Sequence, residues 1–249
     1  MTIMNMFPKW ILIITAIFVS VCILIIIPPF FRFQGDRTKI LMCGRSTMML
    51  WFKHWNWPYP LRIKTTYRAW PIPYYEYTHG NLYLEYLSLP SPISSEQNDS
   101  FGKDMLKSFN EGLIKKRYDV VFFKFCFVDF MVEENEKEKR LKDLTNIIQE
   151  VYDITSKQKM KLILGNALPL PEPNNPTLSL QMQYNDWLTR FASEHNDILI
   201  FDFFSPLTLK DGRMNMALAR SSGDHHPGER AFSLLDKIFF EQIENWLAQ

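Results

Sequence analysis

Glycine and cysteine are scarce in this chain. Only nine of its 249 residues are Gly, and none are clustered. The chain therefore has no glycine-rich loop of the kind that cradles phosphates, which argues against a nucleotide-dependent enzyme. The three cysteines, Cys22, Cys43 and Cys126, form no C-x-x-C pair. Their number and spacing exclude a disulfide framework and give no sign of a zinc site, so Cys43 and Cys126 are predicted to be buried thiols.

An excess of charge of either sign is also lacking. Lys and Arg total 28 against 27 for Asp and Glu, which leaves a formal charge of +1. A dedicated nucleic-acid-binding protein normally has a basic face, so nucleic acid is not expected as a partner. Repeats and low-complexity tracts are absent from the sequence, and its length suits one sizeable domain with a small appendage.

A long apolar run occupies the amino end. Trp10–Phe31 contains no charged residue, and Ile11–Ile27 is almost wholly aliphatic. About 20 apolar residues suffice for a helix to span a bilayer. The run is longer than that of a signal peptide and ends in no small-x-small cleavage site. We therefore predict an uncleaved transmembrane anchor at residues 1–33, followed by a short linker at 34–38.

The charges that flank this run leave its orientation open. Lys9 precedes the run, whereas Arg32, Arg37, Lys39 and Arg45 follow it. The positive-inside rule applied to these residues favours a cytoplasmic C-terminal domain. Large domains can nevertheless be translocated regardless of flanking charge, so the rule does not decide the side.

Beyond the linker, apolar runs of strand length alternate with segments of helical periodicity. The predicted strands are Lys39–Cys43, Tyr83–Leu89, Val120–Phe123, Met160–Leu164 and Ile198–Phe203. The predicted helices are Met48–His54, Phe101–Lys116, Glu133–Ser156, Thr177–Glu194 and Ala231–Leu247. This alternation predicts an α/β domain at 39–249, with a doubly wound, mostly parallel, five-stranded sheet between two helical layers.

An aromatic-rich insert at about 51–92 interrupts the pattern. Its proline content rules out a long helix. Within it, the β-prone runs Tyr74–Tyr77 and Leu82–Leu87 flank His79-Gly80-Asn81, which predicts a hairpin. The aromatic side chains of the insert suit either core packing or a stacking platform for a sugar ring.

Two polar turns carry the residues best suited to catalysis. Ser46 follows the first predicted strand, and His226 lies in a turn that also contains Asp224, between the last strand and the last helix. Loops at the carboxyl ends of parallel strands share one edge of the sheet, so we expect these turns to meet. Ser46 would act as nucleophile and His226 as its base, with Asp224 orienting the imidazole and the Ser46 N–H facing a developing oxyanion.

At these residues the chain resembles the SGNH (GDSL-like) hydrolase family, from about Lys39 to the C-terminus. The first block is Ile40-Leu41-Met42-Cys43-Gly44-Arg45-Ser46, in which Arg45 replaces the usual Asp. The second is Phe101-Gly102-Lys103-Asp104-Met105-Leu106, in which Gly102 corresponds to an oxyanion donor. The last is Asp224-His225-His226-Pro227, with the Asp one residue closer to the His than is usual. The resemblance implies the flavodoxin-like SGNH hydrolase fold.

The third block of the family is divergent here. Aligned without gaps, Asp119–Phe130 puts Cys126 at the usual Gly, Val128 at the Asn that donates to the oxyanion, and Asp129 at the final Asp. Valine has no donor, and loss of one oxyanion donor typically costs about 10²–10³ in rate. Candidate replacement donors are Lys124, Asn81 and Asn166. Lys124 lies within an apolar run and must be paired or shift its pKa, and Asp129 is the expected partner.

The leading hypothesis is a membrane-anchored serine esterase or O-acyltransferase. As the resemblance implies, it would act on acyl esters, typically acetyl esters, of a carbohydrate or lipid, without a cofactor or metal ion. The resemblance also favours an extracytoplasmic, periplasmic domain. One alternative is a catalytically impaired carbohydrate-binding protein on the same fold, favoured by Val128 and the aromatic insert. Another is a membrane-tethered scaffold that uses the final amphipathic helix as an interface.

Overall fold

The computed structural model describes residues 37–55, 76–92, 102–222 and 224–249. The predicted transmembrane helix at 1–33 lies outside these residues, as does the Trp- and Pro-rich stretch 56–75. Within the ranges described, no helix has the length and apolar character needed to cross a membrane. Thr38–Gln249 forms one compact unit.

A six-stranded sheet forms the middle layer of this unit. Its strands are β1 (Thr38–Gly44), β2 (Glu76–His79), β3 (Leu82–Ser88), β4 (Val120–Lys124), β5 (Lys161–Gly165) and β6 (Ile198–Phe201). They lie in the order β2-β3-β1-β4-β5-β6, and every pairing is parallel except that of β2 with β3.

The prediction of five strands is wrong by one. The five predicted strands all form, and the predicted hairpin adds β2 as an antiparallel edge strand. Strand β2 is short and only partly buried, with the sequence Glu-Tyr-Thr-His. A strand with so little apolar content depends on pairing with its neighbour, so its own sequence signals it weakly.

Within the described part of the chain, five α-helices cover the two faces of the sheet. They are α1 (Ser46–Trp55), α2 (Lys103–Lys115), α3 (Lys137–Lys157), α4 (Asn175–Ser193) and α5 (Glu229–Leu247). Helices α1 and α5 pack on one face in a core that includes Trp51, Phe122 and Phe239. Helices α2, α3 and α4 pack on the other face, around residues such as Phe123 and Ile147. The predicted three-layer arrangement with a mostly parallel sheet is confirmed.

Most of the described aromatic residues of the insert belong to the first of these cores: Trp51, Phe52, Trp55, Tyr77 and Tyr86. Trp51 is fully buried, and its ring stacks on Phe201 at a centroid distance of 5.6 Å. Trp55 stacks on Tyr77 of β2 at 5.0 Å. These side chains therefore support core packing, and the sugar-platform interpretation stays a prediction for the part of the insert outside the described residues.

The sheet topology creates a crevice at the carboxyl end of β1. Strand β1 lies between β3 and β4, so the chain builds outward first on one side of β1 and then on the other. Loops that leave the carboxyl ends of β1 and β4 consequently turn to opposite faces of the sheet, which is where doubly wound folds bind ligands. The turns that carry Ser46 and Cys126 both start at this crevice.

Candidate active site

Ser46 owes its position to the tight turn between β1 and α1. A Cβ atom on Gly44 would lie 3.0 Å from the Met48 side chain, so glycine allows the helix to start close to the strand. The Leu89 N–H donates to the Gly44 carbonyl at 2.9 Å, which holds the end of β1. Ser46 is the first residue of α1, where backbone N–H groups point out of the helix end and the helix dipole is positive.

His226 lies in a loop whose backbone is held by its own hydrogen bonds. Ala219 and Pro227 form an antiparallel bridge, and the Arg220 N–H donates to the His226 carbonyl at 2.9 Å. Directly after this loop, α5 begins and anchors it to the core. The imidazole therefore has a defined place above the crevice.

The structure brings Ser46, His226 and Asp224 together in one chain of hydrogen bonds. His226 Nε2 lies 2.9 Å from Ser46 Oγ, and His226 Nδ1 lies 2.6 Å from Asp224 Oδ1. The same carboxylate oxygen accepts the backbone N–H of His226 at 2.9 Å. His225 is placed differently, because its Nδ1 is buried without a hydrogen-bond partner among the described residues.

The positions of the protons in this series of hydrogen bonds depend on the Asp224 carboxylate. Burial pushes the Asp224 pKa upward, but the N–H and the imidazole of His226 outweigh it, so the pKa lies below its ordinary value. Asp224 is therefore ionised at neutral pH and accepts the Nδ1–H of His226. In the neutral imidazole Nδ1 holds the single proton, so Nε2 is an acceptor that faces the Ser46 hydroxyl, as a general base requires.

The turn after β4 reaches the same crevice and contains a buried carboxylate. Asp129 lies in a 3₁₀ turn over Phe127–Phe130, and its side chain is fully buried. Its Oδ1 accepts from Arg45 at 2.8 Å, and its Oδ2 accepts the Cys126 N–H at 2.7 Å. The Cys126 Sγ in turn lies 3.5 Å from Ser46 Oγ.

Arg45 is therefore the partner of Asp129, and the predicted pairing with Lys124 is wrong. Burial raises the Asp129 pKa, and the opposing influence begins with the Arg45 guanidinium and includes the Lys124 charge. The Lys124 ammonium instead donates to the Phe125 carbonyl at 2.8 Å and lies 4.8 Å from the centre of the Phe203 ring. Burial lowers the pKa of Lys124 to about 8.

Three of the predicted oxyanion donors are already engaged within the protein. The Lys124 ammonium donates to the Phe125 carbonyl. The Asn166 amide donates to Asp202 at 2.6 Å, while its oxygen accepts the Phe203 N–H at 2.7 Å. The Gly102 N–H donates to the Pro92 carbonyl at 2.9 Å. In this conformation the Gly102 N–H is not available to an oxyanion, and the Lys124 ammonium and the Asn166 amide each have one N–H committed within the protein.

Asn81 is excluded by its position in the sheet. It precedes β3, and its carbonyl accepts the N–H of Thr38 at the start of β1. The parallel register pairs Thr38 with Leu82 and Gly44 with Ser88, so Asn81 lies at the amino edge and Ser46 at the carboxyl edge. The prediction of Asn81 as a donor is therefore wrong. Val128 is half-buried and packs against the core beneath α1 and α5.

Two contacts of the site were not predicted from the sequence. The first is the Arg45–Asp129 pair. Its sequence signal is that Arg45 stands next to Ser46, where the family has an acidic residue. The second is the contact between Cys126 and Ser46, for which residues 80 positions apart give no local signal.

Comparison with known proteins shows similarity of fold to solved structures at low sequence identity. No protein-family model matches the chain, and no curated protein matches it by sequence. Solved structures do match, and three of them have TM-scores of 0.51 to 0.56. One is a catalytic mutant of an acetylxylan esterase from Geobacillus stearothermophilus, 17% identical, with 84% of this chain and 95% of that chain covered and a TM-score of 0.54.

Two further matches belong to the same structural group. A GDSL-like lipase from Bacteroides thetaiotaomicron is 14% identical, with 84% and 88% covered and a TM-score of 0.56. A member of the lipolytic protein G-D-S-L family from Veillonella parvula is 17% identical, with 82% and 97% covered and a TM-score of 0.51. The chain therefore has an SGNH-like fold.

Proposed function

We propose that this protein is a serine esterase in which Ser46 is the nucleophile, His226 the general base and Asp224 the residue that orients the imidazole. The observation that carries the proposal is the continuous hydrogen-bond chain from Asp224 through His226 to Ser46, with distances of 2.6 and 2.9 Å. A base within 2.6–3.2 Å of the nucleophile, itself held by a third group, is the arrangement that activates a serine hydroxyl.

The reaction begins when Ser46 Oγ attacks the carbonyl carbon of the ester and His226 Nε2 takes the hydroxyl proton. The oxyanion that forms faces the Ser46 N–H at the positive end of α1. The imidazolium then protonates the leaving alcohol, which departs and leaves an acyl group on Ser46. Water, or the hydroxyl of an acceptor, attacks this acyl-enzyme with His226 again as base and restores Ser46.

The oxyanion site of this protein is sparse. Among the described residues, the Ser46 N–H is the one predicted donor that lies at the site and has no hydrogen bond elsewhere, and Val128 supplies none. Because each missing donor costs about 10²–10³ in rate, we expect slow turnover on activated esters.

The substrate we propose is a small acyl ester of a carbohydrate, with acetyl as the acyl group. The fold matches include an acetylxylan esterase and a GDSL-like lipase, and both classes act on esters. Transfer of the acyl group to an acceptor hydroxyl is the alternative fate of the acyl-enzyme. We further propose that residues 1–33 anchor the domain to a membrane, because the run Trp10–Phe31 is uncharged and long enough to span a bilayer. The resemblance to the SGNH family is the reason to propose the extracytoplasmic side.

The first test is p-nitrophenyl acetate hydrolysis by the full chain purified in a mild detergent. We expect Ser46→Ala and His226→Ala to lower kcat/KM by at least about 10³-fold, because removal of one triad member disables the unit. Ser233→Ala, at an exposed serine of α5, is the matched control and should retain wild-type activity. Equal activity in wild type and Ser46→Ala would contradict the proposal.

A second candidate, a carbohydrate-binding protein without catalysis, is favoured by the engagement of Gly102, Lys124 and Asn166 within the protein. A fluorophosphonate probe separates the two candidates. An activated Ser46 becomes labelled in wild type and not in Ser46→Ala, whereas a binding protein stays unlabelled. In the latter case, glycan binding would be the property to measure.

A further inference from the structure

A buried thiol lies beside the proposed nucleophile. Cys126 is 3% exposed, and its Sγ lies within hydrogen-bond distance of Ser46 Oγ, at 3.5 Å. The other described cysteine, Cys43, is equally buried, but its Sγ contacts the Leu41 carbonyl at 4.0 Å, within its own strand. Only one of the two described thiols is therefore placed where it can affect the site.

The direction of the Cys126–Ser46 hydrogen bond follows from the triad. In the neutral imidazole that a general base requires, the one N–H is on Nδ1 and donates to Asp224, so Nε2 is an acceptor. The single hydroxyl proton of Ser46 must then point at Nε2. With that proton committed, Ser46 Oγ can only accept, and the Cys126 S–H must be the donor.

We propose that Cys126 is a positioning residue for the nucleophile, and this inference rests on the proposed esterase function. Its S–H donates to a lone pair of Ser46 Oγ and keeps the hydroxyl directed at His226. The sulfur–hydrogen group is a weak donor, so it lowers the nucleophilicity of Oγ little while it restricts the rotation of the side chain.

The backbone around Cys126 is held firmly enough for this role. The Cys126 N–H donates to Asp129 Oδ2 at 2.7 Å, and Oδ1 of the same buried carboxylate accepts from Arg45 at 2.8 Å. Arg45 directly precedes Ser46. The Asp129 carboxylate therefore connects the turn that contains Cys126 to the turn that contains Ser46. The contact between Cys126 Sγ and Ser46 Oγ, at 3.5 Å, joins the same two turns a second time.

Two substitutions of Cys126 distinguish a hydrogen-bond donor from a side chain that only fills space. Cys126→Ala removes the donor, and we expect kcat for p-nitrophenyl acetate to fall about 3–10-fold, the equivalent of one modest hydrogen bond, with KM nearly unchanged. Cys126→Ser restores a donor and should recover most of kcat. If the thiol makes no hydrogen bond to Ser46, the order reverses, because a buried hydroxyl without a partner costs free energy that a methyl group does not. Cys43→Ala is the matched control and should keep the wild-type kcat.

The second measurement needs no catalysis. In a chain with Cys22→Ser and Cys43→Ala, the infrared S–H stretching band reports on Cys126 alone. Addition of Ser46→Ala removes the acceptor, so the band should move to higher wavenumber, as for a thiol released from a hydrogen bond. An unmoved band, or a Cys126→Ala enzyme as fast as Cys126→Ser, would overturn the inference. A wild type inert towards esters with a band that does shift would instead place the failure in the proposed function.

Discussion

At the scale of single residues, the unusual spacing between Asp224 and His226 is compatible with an ordinary triad geometry. One carboxylate oxygen of Asp224 accepts both the backbone N–H and the Nδ1–H of His226, at 2.9 and 2.6 Å. This local turn lets an Asp two positions before the His reach the imidazole. The shorter spacing therefore changes the backbone conformation of the loop while the hydrogen bond to the ring is preserved.

We predict that Asp224→Asn lowers kcat by about 10²–10⁴-fold, because an amide favours the wrong imidazole tautomer and does not stabilise the imidazolium. The measurement is steady-state hydrolysis of p-nitrophenyl acetate. Asp211→Asn, at an exposed aspartate paired with Arg213, is the control and should have the wild-type kcat. Equal rates in the two variants would show that another group orients His226.

At the scale of elements, one carboxylate joins the helix that starts with Ser46 to the helix that follows the His226 loop. Asp236 of α5 accepts from three side chains of α1: Trp51 at 2.5 Å, Trp55 at 2.6 Å and His54 at 3.1 Å. Ser46 begins α1 and the His226 loop leads into α5, so this contact sets the two helices relative to each other.

We predict that Asp236→Ala lowers the free energy of unfolding by about 2–4 kcal/mol, because hydrogen bonds to a partly buried carboxylate are lost and two indole N–H groups are left unsatisfied. Urea unfolding followed by tryptophan fluorescence measures this. Lys237→Ala, at the exposed neighbouring position, should change stability by less than about 0.5 kcal/mol. A smaller effect at Asp236 than at Lys237 would mean that water replaces the carboxylate without cost.

At the scale of the whole molecule, the buried Lys124 makes stability depend on pH. Burial lowers its pKa to about 8 from the ordinary value of 10.5. Between these values the unfolded chain carries a proton that the folded protein has lost. The free energy of unfolding therefore rises with pH across this window, and below pH 8 the cost of the buried charge applies in full.

We predict that this rise, which for Lys124 alone amounts to about 3 kcal/mol, disappears in Lys124→Met. The measurement is the difference between wild type and variant in the free energy of unfolding, at several pH values from 8 to 10. Other titrating groups, such as the buried Cys43, cancel in that difference. In this variant the Phe125 carbonyl also loses its hydrogen-bond partner. That loss adds a constant to the difference between variant and wild type and does not depend on pH. Lys139→Met, at an exposed lysine of α3, should keep the wild-type slope.

Local sequence patterns are enough to predict the layered architecture and the meeting of Ser46 with His226. Buried parallel strands need continuous apolar runs and covering helices need a 3.6-residue period, so five strands and five helices could be read from local patterns. The meeting of Ser46 and His226 followed from the same reasoning, since both turns had to lie at one edge of the sheet. The hairpin pattern predicts strand β2, but it does not show that this strand joins the main sheet as its sixth strand.

Tertiary structure decided every property that depends on contacts between distant positions. The sequence could not show that Arg45 pairs with Asp129, that Cys126 contacts Ser46, or that the Gly102 N–H is bonded to Pro92. It also offered Asn81 as a donor, which register places at the far edge. Local periodicity reports which face of an element is apolar, whereas a hydrogen bond depends on a few tenths of an ångström between residues that only packing brings together.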